Sequence, residues 1–500
     1  MECVMDRPNI LLAMADDLAW PHLSAYGCRF VSTPAIDRVA QEGILFSNCY
    51  TTAPTCTASR GSVLTGKYPW QLEEGCQLWG LLPAKYRSYP DILAEAGYFT
   101  GVTNKGWGPG SVEASGRPHN PAGPAFNQIT CTPKTSKMSR NDYAANFGDF
   151  LAQKPDDRPF CFWYGAKEPH RPYEKGSGLR AGKKLEDVDV PAYLPDCDEV
   201  RSDFLDYALE VERYDEDLGK MVDLLKERGE LENTIILVTG DNGFPFPRAK
   251  ATVYQNGCHV PLAVRWGTNC PKGRTVTDFV SFADVAPTLL DIAGIEPAPH
   301  EMAGRSFLDV IVSDQSGRVD PTRDMVITGG ERRGYSRPDN VGNPMRSIVT
   351  DDYLYIHNFT PERGPADVDG SPTKAWIEDN RDSVEMKPYY DLCFGKRPEN
   401  ELYAASDGPD CIRNVADSPE HADALAGLRD RLHGCLAAQG DPRLHGRGWV
   451  FDCYPYFGRA HPASRDFPDI ELQAYQLRHV PDGEQKPTAN TSDTSIRWQK

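Results

Sequence analysis

The sequence predicts an α/β fold: a mostly parallel sheet lying between helices, followed by a smaller C-terminal α+β domain. Three observations carry that prediction. Short, continuously apolar runs read as strands buried on both faces; amphipathic helical patterns separate them; and each run ends in charged or amide side chains, where open α/β sheets gather their functional groups. The expected boundaries are a catalytic domain over 1–344, the smaller domain over 345–460, and a wrapping or disordered tail over 461–500 that is rich in Asp, Pro, Thr and Gln.

The first strand spans Asn9 to Ala15 and delivers Asp16 and Asp17. Thr33 through Gly43 reads as a helix, with proline at its first position and glycine at its end. Cys56 opens a second helical pattern that Gly66 stops, so its thiol sits in a first turn, where unpaired N–H groups favour an anion. Three more strands follow: Tyr98 to Thr103, delivering Asn104 and Lys105; Phe160 to Tyr164, leading to Glu168, His170 and Arg171; and Thr234 to Thr239, ending in Gly240, Asp241, Asn242 and Gly243. The longest amphipathic helix is expected near Asp203 to Arg228. Pro261 to Trp266 is a further strand, and Asp284 to Gly294 a short helix. Beyond Asn343 the pattern changes to a hairpin over Met345 to His357 that turns at Asp351-Asp352, the segment Asn400 to Tyr403, and a helix from about Pro419 to Ala438.

The composition, 40% hydrophobic and 25% charged over 500 residues, is that of a globular chain with more than one core. No run approaches the ~20 apolar residues of a membrane span, so no membrane partner is expected. A net charge of −18 argues against nucleic acid, because phosphates need a basic excess. A polyanionic ligand would have to be captured by a local cationic pocket, which favours short ligands or chain ends. The fourteen cysteines show no metal-ribbon spacing. The start of the chain has no apolar signal region, so the expectation is a cytoplasmic protein if the chain is complete, and a periplasmic, secreted or lysosomal one if a signal peptide has been removed.

Asp16, Asp17, Asp241 and Asn242 bring oxygen ligands to two strand ends, a donor set that suits Ca²⁺ or Mg²⁺ rather than zinc. Arg60 lies one helical turn after Cys56 and can share its pocket. Lys105 and Lys250 are candidate cations for an oxyanion, His170 is the candidate general acid, and Arg171 could bind a carboxylate or a second sulfate. Arg332 and Arg333, in a loop before the smaller domain, are candidate substrate contacts.

The run Cys56-Thr57-Ala58-Ser59-Arg60-Gly61-Ser62-Val63-Leu64-Thr65-Gly66-Lys67-Tyr68-Pro69 resembles the signature of type I sulfatases, whose cysteine is oxidised to formylglycine; the usual form has proline where Ala58 stands. Asp241 to Pro247, Pro169-His170-Arg171, Pro344 to Ser347 and Glu401-Leu402-Tyr403 are similar to the heparan N-sulfatase (sulfamidase) branch. The resemblance implies an alkaline-phosphatase-like fold and a hydrated formylglycine at Cys56, one hydroxyl of which attacks sulfur while the other later expels sulfate. It also implies that Asp16, Asp17, Cys56, Asp241 and Asn242 bind Ca²⁺ (or Mg²⁺), that Arg60, Lys105, His170 and Lys250 line the sulfate pocket, and that His170 or Lys250 protonates the leaving atom. Its implied partners are a formylglycine-generating maturation enzyme and a sulfated oligosaccharide or polysaccharide, with N- or O-sulfated glucosamine of heparan-type chains leading; the oligomeric state is left open, a homodimer included.

The family usually carries a histidine two residues after the pocket lysine, where this chain has Trp107, which cannot accept a proton. Another group must do that work, for example His22, His259 or Asp241, or turnover is slow. The alternatives to the leading reading are an O-sulfatase acting on an algal polysaccharide, a phosphatase or phosphonate monoester hydrolase using the same pocket, and a non-catalytic carbohydrate-binding relative.

Overall fold

A seven-stranded sheet carries the larger part of the chain, and the computed structural model describes residues 7–296, 301–333, 342–366 and 368–458. The tail expected over 461–500 lies outside the described residues. In chain order the strands are β1 (Asn9–Ala15), β2 (Ile44–Tyr50), β3 (Phe99–Asn104), β4 (Phe160–Gly165), β5 (Thr234–Gly240), β6 (His259–Arg265) and β7 (Arg274–Ser281), arranged β3-β4-β1-β5-β6-β2-β7. All neighbours are parallel except those of β6, which runs antiparallel to both β5 and β2.

β1 sits in the middle and is buried along its whole length. Its side chains alternate between two cores, as strand geometry requires. Leu11, Ala13 and Ala15 face one cluster with Phe147, Phe204 and Tyr214; Ile10, Leu12 and Met14 face the other with Val63, Leu64 and Leu289. Helices thus cover both faces. The long helix runs from Asp198 to Glu227, five residues earlier than expected, because Asp198 and Glu199 favour its N-terminal turn even though they break the apolar pattern.

Two strands of the sheet are not legible in the sequence. β2 carries Ser47 and Asn48 at a register shift against both of its neighbours, so polar residues interrupt its apolar run. β7 lies at the sheet edge and alternates polar with apolar side chains.

A second, antiparallel sheet has the order β11-β10-β9-β8: β8 (Met325–Gly330), β9 (Met345–Thr350), β10 (Tyr353–Asn358) and β11 (Asn400–Ala404). The expected hairpin forms β9 and β10. The sheet draws its edge strand β8 from before the expected boundary at 344, and the helix Ala422–Ala438 packs on it. Arg346 on β9 ties this unit together. Its buried guanidinium bonds Asp441 at 2.8 Å and Glu331 at 2.6 Å and lies over the ring of Trp70, 4.6 Å from its centroid. Among the described residues no helix is long and apolar enough to cross a membrane.

Truncating Arg346 removes the buried counter-ion of Asp441 and leaves Glu331 with Arg443 alone. Arg346→Ala is expected to destabilise the protein by about 3–5 kcal/mol, read as a shift of the urea-unfolding midpoint.

Candidate active site

The pairing of β1 with β5 places Ala15 opposite Gly240, so the carboxylates that follow each strand emerge side by side. Gly240 is required here: a Cβ at this position would come within 2.1 Å of the carbonyl oxygen of Leu18. Asp17 adopts φ 74°, a left-handed conformation seldom taken by residues other than glycine, and its N–H donates to Asp241 Oδ1 at 2.9 Å. Side-chain oxygens of Asp16 and Asp241 and the Cys56 sulfur lie within 4.8 Å of one another; a carboxylate oxygen of Asp17 and a ring nitrogen of His170 make a second such group with Asp16.

Cys56 begins the helix Cys56–Thr65, all of which is buried, and Gly66 closes it in the left-handed conformation with its N–H on Ser62. Burial dominates the thiol and pushes it up to about 11. Ser59 donates to the Asp241 carbonyl at 2.5 Å, and Arg60 Nε donates to Asp241 Oδ2 at 2.7 Å. Arg60 also donates to the Lys105 and Gly106 carbonyls, at 2.5 and 3.0 Å. It therefore fastens the helix, the end of β5 and the segment after β3 to one another. Expected in the anion pocket, Arg60 is fully enclosed and acts as the tie that positions it.

Lys105 Nζ lies 2.6 Å from Asp16 Oδ2, and Lys250 Nζ lies 2.7 Å from Asp17 Oδ2. Burial alone would lower both lysines, but the facing carboxylates hold them above the ordinary range; for Lys250 the second contributor is Asp369, 2.8 Å away. Burial alone would raise Asp16, and Lys105, His170 and Arg60 outweigh it and keep the carboxyl below its usual value. His170 is half-buried, with Nε2 3.8 Å from Asp17 Oδ2 and Nδ1 2.6 Å from the Arg171 carbonyl.

The buried oxygens Asp16 Oδ1 and Asn242 Oδ1 have no hydrogen-bond partner among the described residues. An acceptor left dry costs free energy, so such atoms at one site are explained by a ligand. Two carbonyl-type oxygens beside further carboxylates suit a hard divalent cation, and the residues present fit one.

Four other residues are placed differently from their expectations. Arg171 is buried and saturated: both terminal nitrogens bond Asp203 at 2.8 Å, Nε bonds the Pro245 carbonyl, and the plane lies between Tyr173 and Phe246. Arg332 is buried too, on Gln77 and the carbonyls of Asp452 and Tyr454. Both arginines hold loops together, and Arg332 also lines a small cavity with Arg333. His22 packs among Phe30, Phe204, Tyr207 and Phe244, and His259 is stacked between Trp20 and Tyr50; burial pushes each imidazole down to about 3. Neither can replace the histidine lost at Trp107, whose own ring is buried against Gly61 of the Cys56 helix. Of the three groups considered, Asp241 is the one at Cys56.

Arg333 remains at the opening, within hydrogen-bonding range of Asp369. Asp369 itself had no signal in the sequence, since it lies in a polar stretch without periodicity.

Comparison with known proteins shows what the chain is similar to. Residues 8–295 match the family model described as Sulfatase, and residues 246–363 match the model of the N-sulphoglucosamine sulphohydrolase C-terminal region. The chain is 27% identical to human N-sulphoglucosamine sulphohydrolase over 85% of its own length and 89% of that protein's. It is 26% identical to an ulvan-active sulfatase of Formosa agariphila over 87% and 76% of the respective chains. The solved complex of BT4656 with D-glucosamine-2-N,6-O-disulfate superposes with a TM-score of 0.63 at 20% identity, covering 87% of this chain and 98% of that one. The fold is alkaline-phosphatase-like.

With its charge on Asp203 and its plane between two rings, Arg171 is a stability residue. Arg171→Ala is expected to cost about 3–5 kcal/mol by leaving the buried Asp203 charge without its counter-ion, measured by chemical denaturation.

Proposed function

We propose that this chain, which belongs to the sulfatase family and hydrolyses sulfate esters or sulfamates, acts on N- or O-sulfated glucosamine of heparan-type chains through a formylglycine matured from Cys56 and a divalent cation, Ca²⁺ or Mg²⁺. The observation that carries the reading is the dry cluster of Asp16, Cys56 and Asp241, with oxygens of Asp16 and Asn242 left unpartnered beside two lysines. The hydrated aldehyde supplies a hydroxyl nucleophile for sulfur, and the cation, held by Asp16, Asp17, Asp241 and Asn242, supplies the charge that favours ionising that hydroxyl and polarising sulfate.

The protein's own groups do the remaining work. Lys105 and Lys250 are anchored by carboxylates on one side, so they present N–H donors to sulfate oxygens without reorganising. His170 donates Nδ1–H to the Arg171 carbonyl, which leaves Nε2 as the atom that exchanges a proton with the leaving oxygen or nitrogen. The glucosamine assignment rests on the match to the N-sulphoglucosamine sulphohydrolase C-terminal model and on the human relative. The ulvan-active relative supports an algal O-sulfated polysaccharide as the second reading.

Intact mass of the tryptic peptide containing Cys56, from protein made with a maturation enzyme, is expected to show the aldehyde or its hydrate in place of the thiol. A thiol retained under those conditions would overturn the mechanism. Lys105→Ala and His170→Ala are each expected to lower turnover of an aryl sulfate by ~10²-fold or more, measured as kcat at saturating substrate. Ca²⁺ is expected to raise the melting temperature of the parent protein, because it binds only the folded site. In Asp16→Ala that rise is expected to disappear.

A further inference from the structure

Asp369 stands where the segment after β10 meets the site, and its surroundings are unlike those of the other acids. Its Oδ2 is 2.8 Å from Lys250 Nζ, whose other contact is Asp17 Oδ2 at 2.7 Å. Arg333 Nη2 lies 3.3 Å from both of its oxygens. Lys250 is sealed at 2% exposure, whereas the Asp369 side chain is 27% exposed and can be touched by a solute. Arg333 also lines a small cavity, with room for about one water, that reaches Pro54 and Thr55, next to Cys56.

An ammonium group has three N–H donors. Two of those on Lys250 are taken by Asp17 and Asp369, and no described residue takes the third, so a sulfate oxygen that reaches Lys250 need displace neither acid. The partly exposed Asp369 carboxylate is then the neighbour of that lysine open to a second substrate group. A carboxylate in that position repels a second anionic group and accepts hydrogen bonds from N–H or O–H, most strongly from a cation.

The products of the two bond types differ in just this respect. Hydrolysis of a sulfamate breaks the N–S bond; water gives its hydroxyl to sulfur and a proton to nitrogen, and the proton of hydrogensulfate passes to the amine. An ammonium and a sulfate dianion result. Hydrolysis of a sulfate ester leaves a neutral hydroxyl instead.

We propose that Asp369 is a specificity-determining residue that binds the nitrogen of an N-sulfated amino sugar, as sulfamate N–H before reaction and as ammonium after it, with Arg333 holding the carboxylate in place. The inference rests on the sulfatase reading above and names the substrate atom that this side of the pocket selects.

The test compares the mature full-length protein with Asp369→Asn and Asp369→Glu. Two ratios are measured: kcat/KM for glucosamine N-sulfate against an aryl sulfate, and calorimetric affinity for glucosamine against N-acetylglucosamine. In Asp369→Asn both ratios are expected to fall by about tenfold, the scale of one charge-assisted hydrogen bond. Asp369→Glu, which keeps the charge, is expected to retain the preference for glucosamine. If Asp369→Asn lowers both substrates equally and leaves the affinity ratio unmoved, Asp369 only positions Lys250 and the proposal fails. If the parent protein hydrolyses neither substrate, the sulfatase mechanism fails instead, and the affinity ratio still decides the role of Asp369.

Discussion

Three buried carboxylates at the ends of two neighbouring parallel strands each face a cation, two of the cations buried and the third, Lys105, partly exposed. Asp16 faces Lys105 at 2.6 Å, Asp17 faces Lys250 at 2.7 Å and Asp241 faces Arg60 at 2.7 Å. Each charge alone would be prohibitive in so dry a place. Paired, they form a nearly neutral cluster that can be assembled during folding. Adding a divalent cation to the unpartnered oxygens would tip that balance to net positive, which is what an anion pocket in a chain of net charge −18 needs.

The pairing dictates much of the local backbone. The acids emerge together because β1 and β5 are in register, and Gly240 allows the close crossing by Leu18. Asp17 accepts a left-handed conformation to turn its carboxylate toward Lys250. Arg60 must reach from the Cys56 helix to Asp241, and in doing so it fixes where the helix N-terminus points. The first turn of that helix, with its unpaired N–H groups, is thereby aimed at the place where an anion would sit.

Asp369 enters after β10, and Arg333 just after β8, so both come from connections of the smaller sheet. The Glu331–Arg346–Asp441 network, with Arg443 also on Glu331, ties that sheet to the segment after its helix, and the Trp70 ring against Arg346 joins it to the larger part of the chain. In the proposed mechanism, chemistry and choice of sugar thus fall to different parts of the chain: the strand ends of the large sheet would act on sulfur, and the connections of the small one would face the sugar. Such a division lets loops vary without disturbing the cluster.

Sequence alone determined the elements and groups whose signal is local. β1, β4 and β5 are legible because strands buried on both faces must be continuously apolar, and Asp16, Asp17, Asp241 and Asn242 are legible because they directly follow those runs. The Cys56 motif is legible because a helix start and its capping glycine are written in consecutive residues. Tertiary structure decided the rest, because the deciding quantity is burial against partners distant in sequence. Nothing near Arg171 announces Asp203, and nothing near His259 announces Trp20 and Tyr50, yet those partners make the one a structural ion pair and the other a stacked core ring. Asp369 became visible only when the fold brought it 2.8 Å from a lysine more than a hundred positions earlier in the chain.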